Sequence, residues 1–329
     1  MARSLRGLVV VITGASSGIG RATALAFASK KACLVLAARR EEALRDVASE
    51  CERRGGSAIA VPTDVSKETA VHELARRALE KYGRIDIWVN NAGVALFGRF
   101  EDSPSDLYRR VLETNLMGTV HGARAALPHF LEQGSGVLIN LASISAFAGQ
   151  PFGSAYGVSK AAIRALGQCL REELAGAEHI HVCTVLPSMT DTQIWQSAAN
   201  HTGHAIHPPR PVSPPEEVAD AIVRLACKPK SEVVVGGAGR IVRLCATVAP
   251  RLMERVSGYL VLKTLLKDEP AAPSSGNLFE PSPGPASVSG GWKLRTTERL
   301  KAAIARVASD VPPRSLKPAI QPSCPVRPG

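Results

Sequence analysis

Short β-branched and apolar runs alternate with longer stretches of helical periodicity over the first 240 residues. No other feature restricts the fold as much. LVVVIT (8–13), CLVLAA (33–38), SAIAVP (57–62), IDIWVN (85–90), GVLINLA (136–142), IHVCTVL (180–186) and EVVVG (232–236) read as strands. Residues 18–30, 41–55, 67–83, 103–134, a run from Ser154 and 214–227 read as helices, the last opened by Ser213 as N-cap with proline in its first turn. The strands lack the polar alternation of a half-exposed sheet, so both faces are expected to be covered by helices. The expected fold class is α/β: a doubly wound, parallel, seven-stranded sheet over residues 1–239. Such sheets bind ligands at the carboxyl ends of their strands, where the strand order reverses.

The chain has 329 residues, 45% of them apolar, enough for a sizeable core. Its net charge of +11 is uneven: residues 240–329 hold 14 Lys and Arg against 6 Asp and Glu. Solvated charge on a mobile tail accounts for this more simply than a nucleic-acid partner, and none is expected. Residues 240–269 read as an apolar–basic helical extension interrupted by Pro250, with Leu252, Val256, Tyr259 and Leu260 on one face. The stretch 240–267 suits peripheral membrane contact, or packing on the domain or on another subunit. Residues 270–329 are rich in Pro, Gly and Ser and read as mostly disordered, with one helix candidate at 292–310. The seven cysteines form no CxxC pair, which suggests a reducing compartment without a disulfide framework. The opening apolar run is too short for a signal peptide, and no stretch approaches the ~20 apolar residues of a membrane span. A cytoplasmic location follows as the expectation, with a membrane-peripheral one as its variant.

The chemistry-bearing residues fall at strand ends. TGASSGIG (13–20) follows the first strand and opens the first helix, with Gly14, Gly18 and Gly20 spaced GxxxGxG. Such a turn admits close backbone approach and points helix N–H groups at a pyrophosphate; a purely structural turn is the alternative. The second strand ends at Ala38 without the acid that would grip the ribose hydroxyls of NAD; Arg39 and Arg40 follow instead, a pair suited to a 2′-phosphate. NADP(H) is thus favoured over NAD(H), although Glu41 and Glu42 could neutralise a merely solvated pair. Asp64 and NNAG (90–93) end the third and fourth strands, and Ser143 the fifth. Asn115 sits mid-helix, where a poor helix former suggests a local irregularity. In YGVSK (156–160), Tyr156 and Lys160 share one helix face; an ammonium beside a phenol favours the phenolate and would make it titratable.

TGASSGIG, Asp64, NNAG, Asn115, Ser143 and YGVSK together resemble the short-chain dehydrogenase/reductase family, over about residues 5–240. The resemblance implies a Rossmann-type catalytic domain and NAD(P)-dependent interconversion of a carbonyl and an alcohol on a small molecule. Tyr156 would be the acid/base, Ser143 would hydrogen-bond the substrate oxygen, and Lys160 would hold the nicotinamide ribose and lower the Tyr156 pKa. Asn115 would hold a relay water. Thr13, Gly14, Ser16, Gly18, Ile19 and Gly20 would line the cofactor, Asp64 and Val65 would flank adenine, and Asn91, Ala92 and Gly93 would line the adenosine side. Pro187 and Thr192 would lie near the nicotinamide. A homo-oligomer through the long central helices is also implied.

Ser188 departs from the family's Pro-Gly and leaves the local pocket shape open. Ile144, Ala146, Phe147, Phe152, Met189, Ile194 and Trp195 suggest an apolar substrate, although the same residues could simply pack a loop and lid. The three histidines of HTGHAIH (201–207) lack a fourth ligand and read as a polar lid, so no metal is expected. A cofactor-sensing binding protein without turnover is the alternative function; the intact Ser143, Tyr156 and Lys160 weigh against it.

Overall fold

The computed structural model describes residues 4–284 and 286–292. In chain order the elements begin with β1 (Val9–Thr13), α1 (Gly18–Ala28), β2 (Cys33–Ala38), α2 (Glu41–Arg53), β3 (Ser57–Pro62), α3 (Glu68–Tyr82), β4 (Ile87–Asn90) and β5 (Leu96–Gly98). Then come α4 (Ser105–Leu112), α5 (Gly118–Gln133), β6 (Gly136–Leu141), α6 (Ser154–Glu173), β7 (Ile180–Pro187) and α7 (Ile194–Ser197). The series closes with β8 (Ala199–His201), β9 (His204–Ile206), α8 (Pro215–Cys227), β10 (Glu232–Val235), α9 (Gly237–Val248), α10 (Pro250–Leu265) and β11 (Leu266–Pro270).

Seven strands form one parallel sheet in the order β10-β7-β6-β4-β1-β2-β3. Every residue of β1, β4 and β6 is buried, which is why these runs carry no polar alternation. Val10, Ile12, Leu34 and Leu36 pack against α1, α2 and α8; Val9, Val11, Val35 and Trp88 pack against α3 and α5 on the opposite face. β1 pairs with β2 on one side and β4 on the other, so the chain reverses its winding there. The crevice this opens at the strands' carboxyl ends is where such sheets take ligands.

The long central helix is not uniform. Glu113–Met117 form a π-helical turn between α4 and α5, with Asn115 inside it. That is the irregularity its poor helix propensity suggested. Ser213 is not the cap of α8. Pro214 takes that position, because the Ser213 backbone pairs with the loop after β7: its N–H donates to Met189 O and its carbonyl accepts from Asp191 N–H.

Beyond β10 the chain differs from a helical extension followed by a free linker. α9 and α10 break at Pro250, as the sequence suggests, but β11 then pairs antiparallel with β9. Residues 271–284 and 286–292 run on over the domain, with Leu278 and Trp292 buried. Composition missed this, because the segment is held by its backbone rather than by a periodic apolar face. Most of the helix candidate at 292–310 lies outside the described residues.

Candidate active site

A cavity of about 550 Å³ opens at the switch point. Gly14, Ser16, Gly18 and Ile19 form one wall, Arg39, Arg40, Asp64 and Val65 one end, and Ser143, Tyr156, Lys160, Pro187 and Thr192 the other, with Asn91, Ala92 and Gly93 between them. Thr13, Gly20 and Asn115 stand behind this wall rather than on it.

The glycine turn is shaped by contacts only glycine permits. Gly14 has φ +67°, and a Cβ there would fall 2.8 Å from Ala92 Cα. One on Gly20 would fall 2.2 Å from Gly14 O. Thr13 and Asn91 staple the turn to the end of β4. Thr13 Oγ1 accepts the N–H groups of Asn91 (3.0 Å) and Ala92 (3.1 Å), and Asn91 Nδ2 donates to Thr13 O at 2.8 Å. The result is a close-fitting cradle at the start of α1, the surroundings a pyrophosphate requires.

At the arginine end, Arg110 donates to Asp64 Oδ2 (2.8 Å) and to Ser66 Oγ. Burial alone would raise the Asp64 carboxyl, but hydrogen bonds from Arg110 and Ser66 outweigh it and hold the group below its ordinary range. Arg39 is half-buried, and desolvation lowers its pKa, partly offset by the charges of Asp64 and Glu280.

At the other end, α6 starts at Ser154 and carries Tyr156 and Lys160 on the face turned to β6. Lys160 is 4% exposed and donates to Leu141 O at 2.8 Å. Desolvation lowers its pKa from 10.5 to about 8. Burial pushes the Tyr156 phenol up, partly offset by its hydrogen bond with Ser143. Lys160 Nζ lies 5.5 Å from the Tyr156 ring centroid, and here burial rather than the ammonium sets the direction. Asn115 acts as a brace. Its Oδ1 accepts Val94 N–H (2.8 Å), and its Nδ2 donates to Val94 O and Ser159 Oγ, both at 3.0 Å, so the side-chain amide is spent on protein.

Of the apolar candidates, Met189, Ile194 and Trp195 line the cavity, joined by Val94 and Ala95 from the loop after β4 and by Phe97 of β5. Phe97 stacks on Trp195 with centroids 5.7 Å apart. Phe152 packs behind Trp195, while Ile144, Ala146 and Phe147 pack with Val242 of α9. Ser188 fits because its neighbours are small: Gly236 and Gly239 leave room for its Cβ. His204 Nδ1 meets Lys267 O, and no group of three potential metal ligands occurs among the described residues.

The sequence reading missed one wall altogether. Asn277, Pro281, Ser282 and Pro283, from the proline-rich tail, close the cavity beside Arg39 and Arg40. No periodicity or motif marks them.

Comparison with known proteins agrees with this fold. Residues 8–203 match the family model described as short chain dehydrogenase. The chain is 35% identical over 274 residues to the uncharacterized oxidoreductase YxnA of Bacillus subtilis, covering 82% of this chain and 77% of that one. It is 42% identical over 194 residues to the probable oxidoreductase EphD of Mycobacterium tuberculosis, but covers 59% of itself and only 33% of EphD. Among solved structures, an alcohol dehydrogenase from Thermococcus sibiricus complexed with 5-hydroxy-NADP matches with a TM-score of 0.61 and 30% identity, over 70% of this chain and 96% of that one.

The Lys160 environment has a stability consequence. Between pH 8 and 10.5 the unfolded chain still holds the proton that folded Lys160 has lost, so this group's contribution to stability rises with pH across that window. Below pH 8 the burial cost stands in full, at about 3 kcal/mol, against about 1 kcal/mol for the hydrogen bond to Leu141. Thermal denaturation of Lys160→Met should therefore show a higher Tm at pH 7, with the gain shrinking toward pH 10. A lower Tm at pH 7 would contradict this.

Proposed function

Since the chain belongs to the short-chain dehydrogenase family, we propose that this NAD(P)-dependent oxidoreductase interconverts a carbonyl and an alcohol on an apolar substrate, with NADP(H) preferred and Tyr156 as acid/base. The observation that carries the reading is one cavity with Ser143, Tyr156 and Lys160 at one end and Arg39 and Arg40 at the other. The glycine cradle at the start of α1 and the arginine pair fit a phosphorylated dinucleotide. When bound, the nicotinamide supplies hydride chemistry.

The chain's own residues do the rest. In reduction the substrate oxygen gains negative charge, and the hydroxyls of Ser143 and Tyr156 donate to it as that charge develops. Tyr156 then delivers its proton. A phenol held up by burial keeps that proton until an acceptor arrives. Lys160, buried beside it, restores polarity to an otherwise desolvated pocket, and Asn115 fixes the loop that ends at Val94. Met189, Ile194, Trp195 and Phe97 exclude water and favour an apolar carbonyl compound. A cofactor sensor without turnover is the second reading; the tail lying over Arg39 and Arg40 favours it.

Two association surfaces belong to this reading. Met117, Leu131 and Val158 are exposed apolar residues on the central helices and support a homo-oligomer. On α9 and α10, Ile241, Leu244, Val248, Leu252, Val256 and Tyr259 are exposed at helical spacing beside exposed Arg240, Arg243, Arg251 and Arg255. That pattern supports contact with an anionic membrane surface. No helix among the described residues is long and apolar enough to cross a membrane.

Tyr156→Phe should lower turnover of apolar ketones and aldehydes by about 10²–10⁴-fold while leaving NADPH affinity within a few-fold; unchanged turnover would remove Tyr156 from the chemistry. Light scattering of the full chain should give a multiple of the protomer mass, reduced by Val158→Glu; a monomer at all concentrations contradicts the oligomer. In co-sedimentation, vesicles rich in phosphatidylserine should retain the chain, and Arg251→Glu with Arg255→Glu should weaken this at least about tenfold. Equal absence from anionic and neutral vesicles would exclude the membrane contact.

A further inference from the structure

The tail segment over the cavity is bound in an unusual way. Arg39 donates to the carbonyls of Asn277 (2.5 Å), Leu278 (3.2 Å) and Phe279 (2.8 Å). Arg40 donates to those of Ser282 (3.2 Å) and Gly284 (2.6 Å), and Arg21 to that of Ala286 (2.7 Å). The N–H of Gly18, first residue of α1, donates to Ser287 O at 2.9 Å. Glu280 adds a carboxylate whose charge acts on Arg39.

These donors are the anion-binding equipment of the site: two guanidiniums at the end of β2 and a free N–H at a helix start. In this structure the tail's oxygens occupy them. The segment is pinned on both sides of the crossing. Leu278 is fully buried among Val94, Leu96, Leu107, Val111, Ala155 and Ala199. At the far side, Trp292 N–H donates to Asp191 Oδ1 at 2.8 Å and its indole to Thr192 O at 3.2 Å.

We propose that residues 277–284 form a strap that competes with the 2′-phosphate of NADP for Arg39 and Arg40 and thereby sets the NADP-to-NAD preference of the site. The proposal rests on the reading of those arginines as phosphate ligands. Seen from a guanidinium, a carbonyl row with one carboxylate is a weaker version of a phosphate dianion, because charged acceptors form the stronger hydrogen bonds. A cofactor carrying the 2′-phosphate must take these donors from the strap. One lacking it leaves the strap's arginine contacts in place. Release of the strap's arginine contacts is therefore linked to the 2′-phosphate, whereas the Ser287 contact to Gly18 N–H lies in the pyrophosphate cradle and yields to either cofactor. The fraction of time those arginine contacts are open scales the affinity for NADP and not for NAD.

The probes are 2′,5′-ADP and 5′-AMP, which differ only in this phosphate and carry no nicotinamide. On the unaltered full chain, hydrogen exchange across 277–284 should rise with saturating 2′,5′-ADP and stay unchanged with 5′-AMP. Leu278→Asp, which places a carboxylate in the apolar anchor, should tighten 2′,5′-ADP at least about tenfold and leave 5′-AMP within about twofold. Glu280→Gln, at an exposed position, should move the ratio the same way by less. Slower exchange with both probes, or weaker binding of both by Leu278→Asp, would overturn the proposal and make the strap a clamp. Binding of both with an unchanged ratio would overturn the strap while leaving the functional reading intact. No discrimination between the probes by any of the three proteins would overturn the phosphate reading of Arg39 and Arg40, and the strap with it.

Discussion

Everything at this site depends on the place where β1 parts from β4. A parallel sheet sends all its strand ends to one edge, and reversing the winding at β1 leaves that edge uncovered at one point. The glycine turn, Arg39, Asp64, Asn91 and Ser143 are distant in sequence, yet each follows a strand whose end borders or approaches the crevice. Apolar burial on both sheet faces holds that edge rigid. The turn is fixed separately, by the hydrogen bonds between Thr13 and Asn91. The scaffold therefore supplies position, and little of the active-site geometry depends on the active-site side chains themselves.

Those side chains work against stability. Lys160 is buried with one carbonyl partner, and its depressed pKa measures the strain of keeping an ammonium there. Tyr156 is shifted the opposite way by the same burial. A phenol held neutral and an ammonium whose pKa is lowered toward neutrality, side by side in one pocket, suit the proton transfer proposed for Tyr156. Asn115 carries the supporting cost: a π-helical turn opens α4–α5 so that its amide can bind across to Val94 and Ser159.

Much of this was legible in the sequence because the governing contacts are local or periodic. Strands buried on both faces print apolar runs, an asparagine inside a helix marks its defect, and a Tyr and Lys four apart on a helix meet the same wall. Ser213 was misread because its backbone was already engaged with the loop after β7. The strap was invisible for a different reason. Its order comes from main-chain carbonyls bound by arginines about 240 positions earlier and from the single apolar anchor Leu278, so no periodic pattern marks it, and proline, serine and glycine read as disorder. Phe97 and Val94 were missed because β5 is only three residues long and the stretch before it is irregular, too short for a period to reveal which way they face.

The most direct test of the central claim is transfer of a labelled hydride. The chain would be incubated with NADPH deuterated at the reactive carbon and a panel of apolar ketones and aldehydes, and the alcohols examined by mass spectrometry. The account requires one deuterium on the carbinol carbon of at least one product, and none when Tyr156 is replaced by Phe. Tight cofactor binding with no deuterium transferred to any member of the panel would contradict it and leave a protein that reads the cofactor without using it.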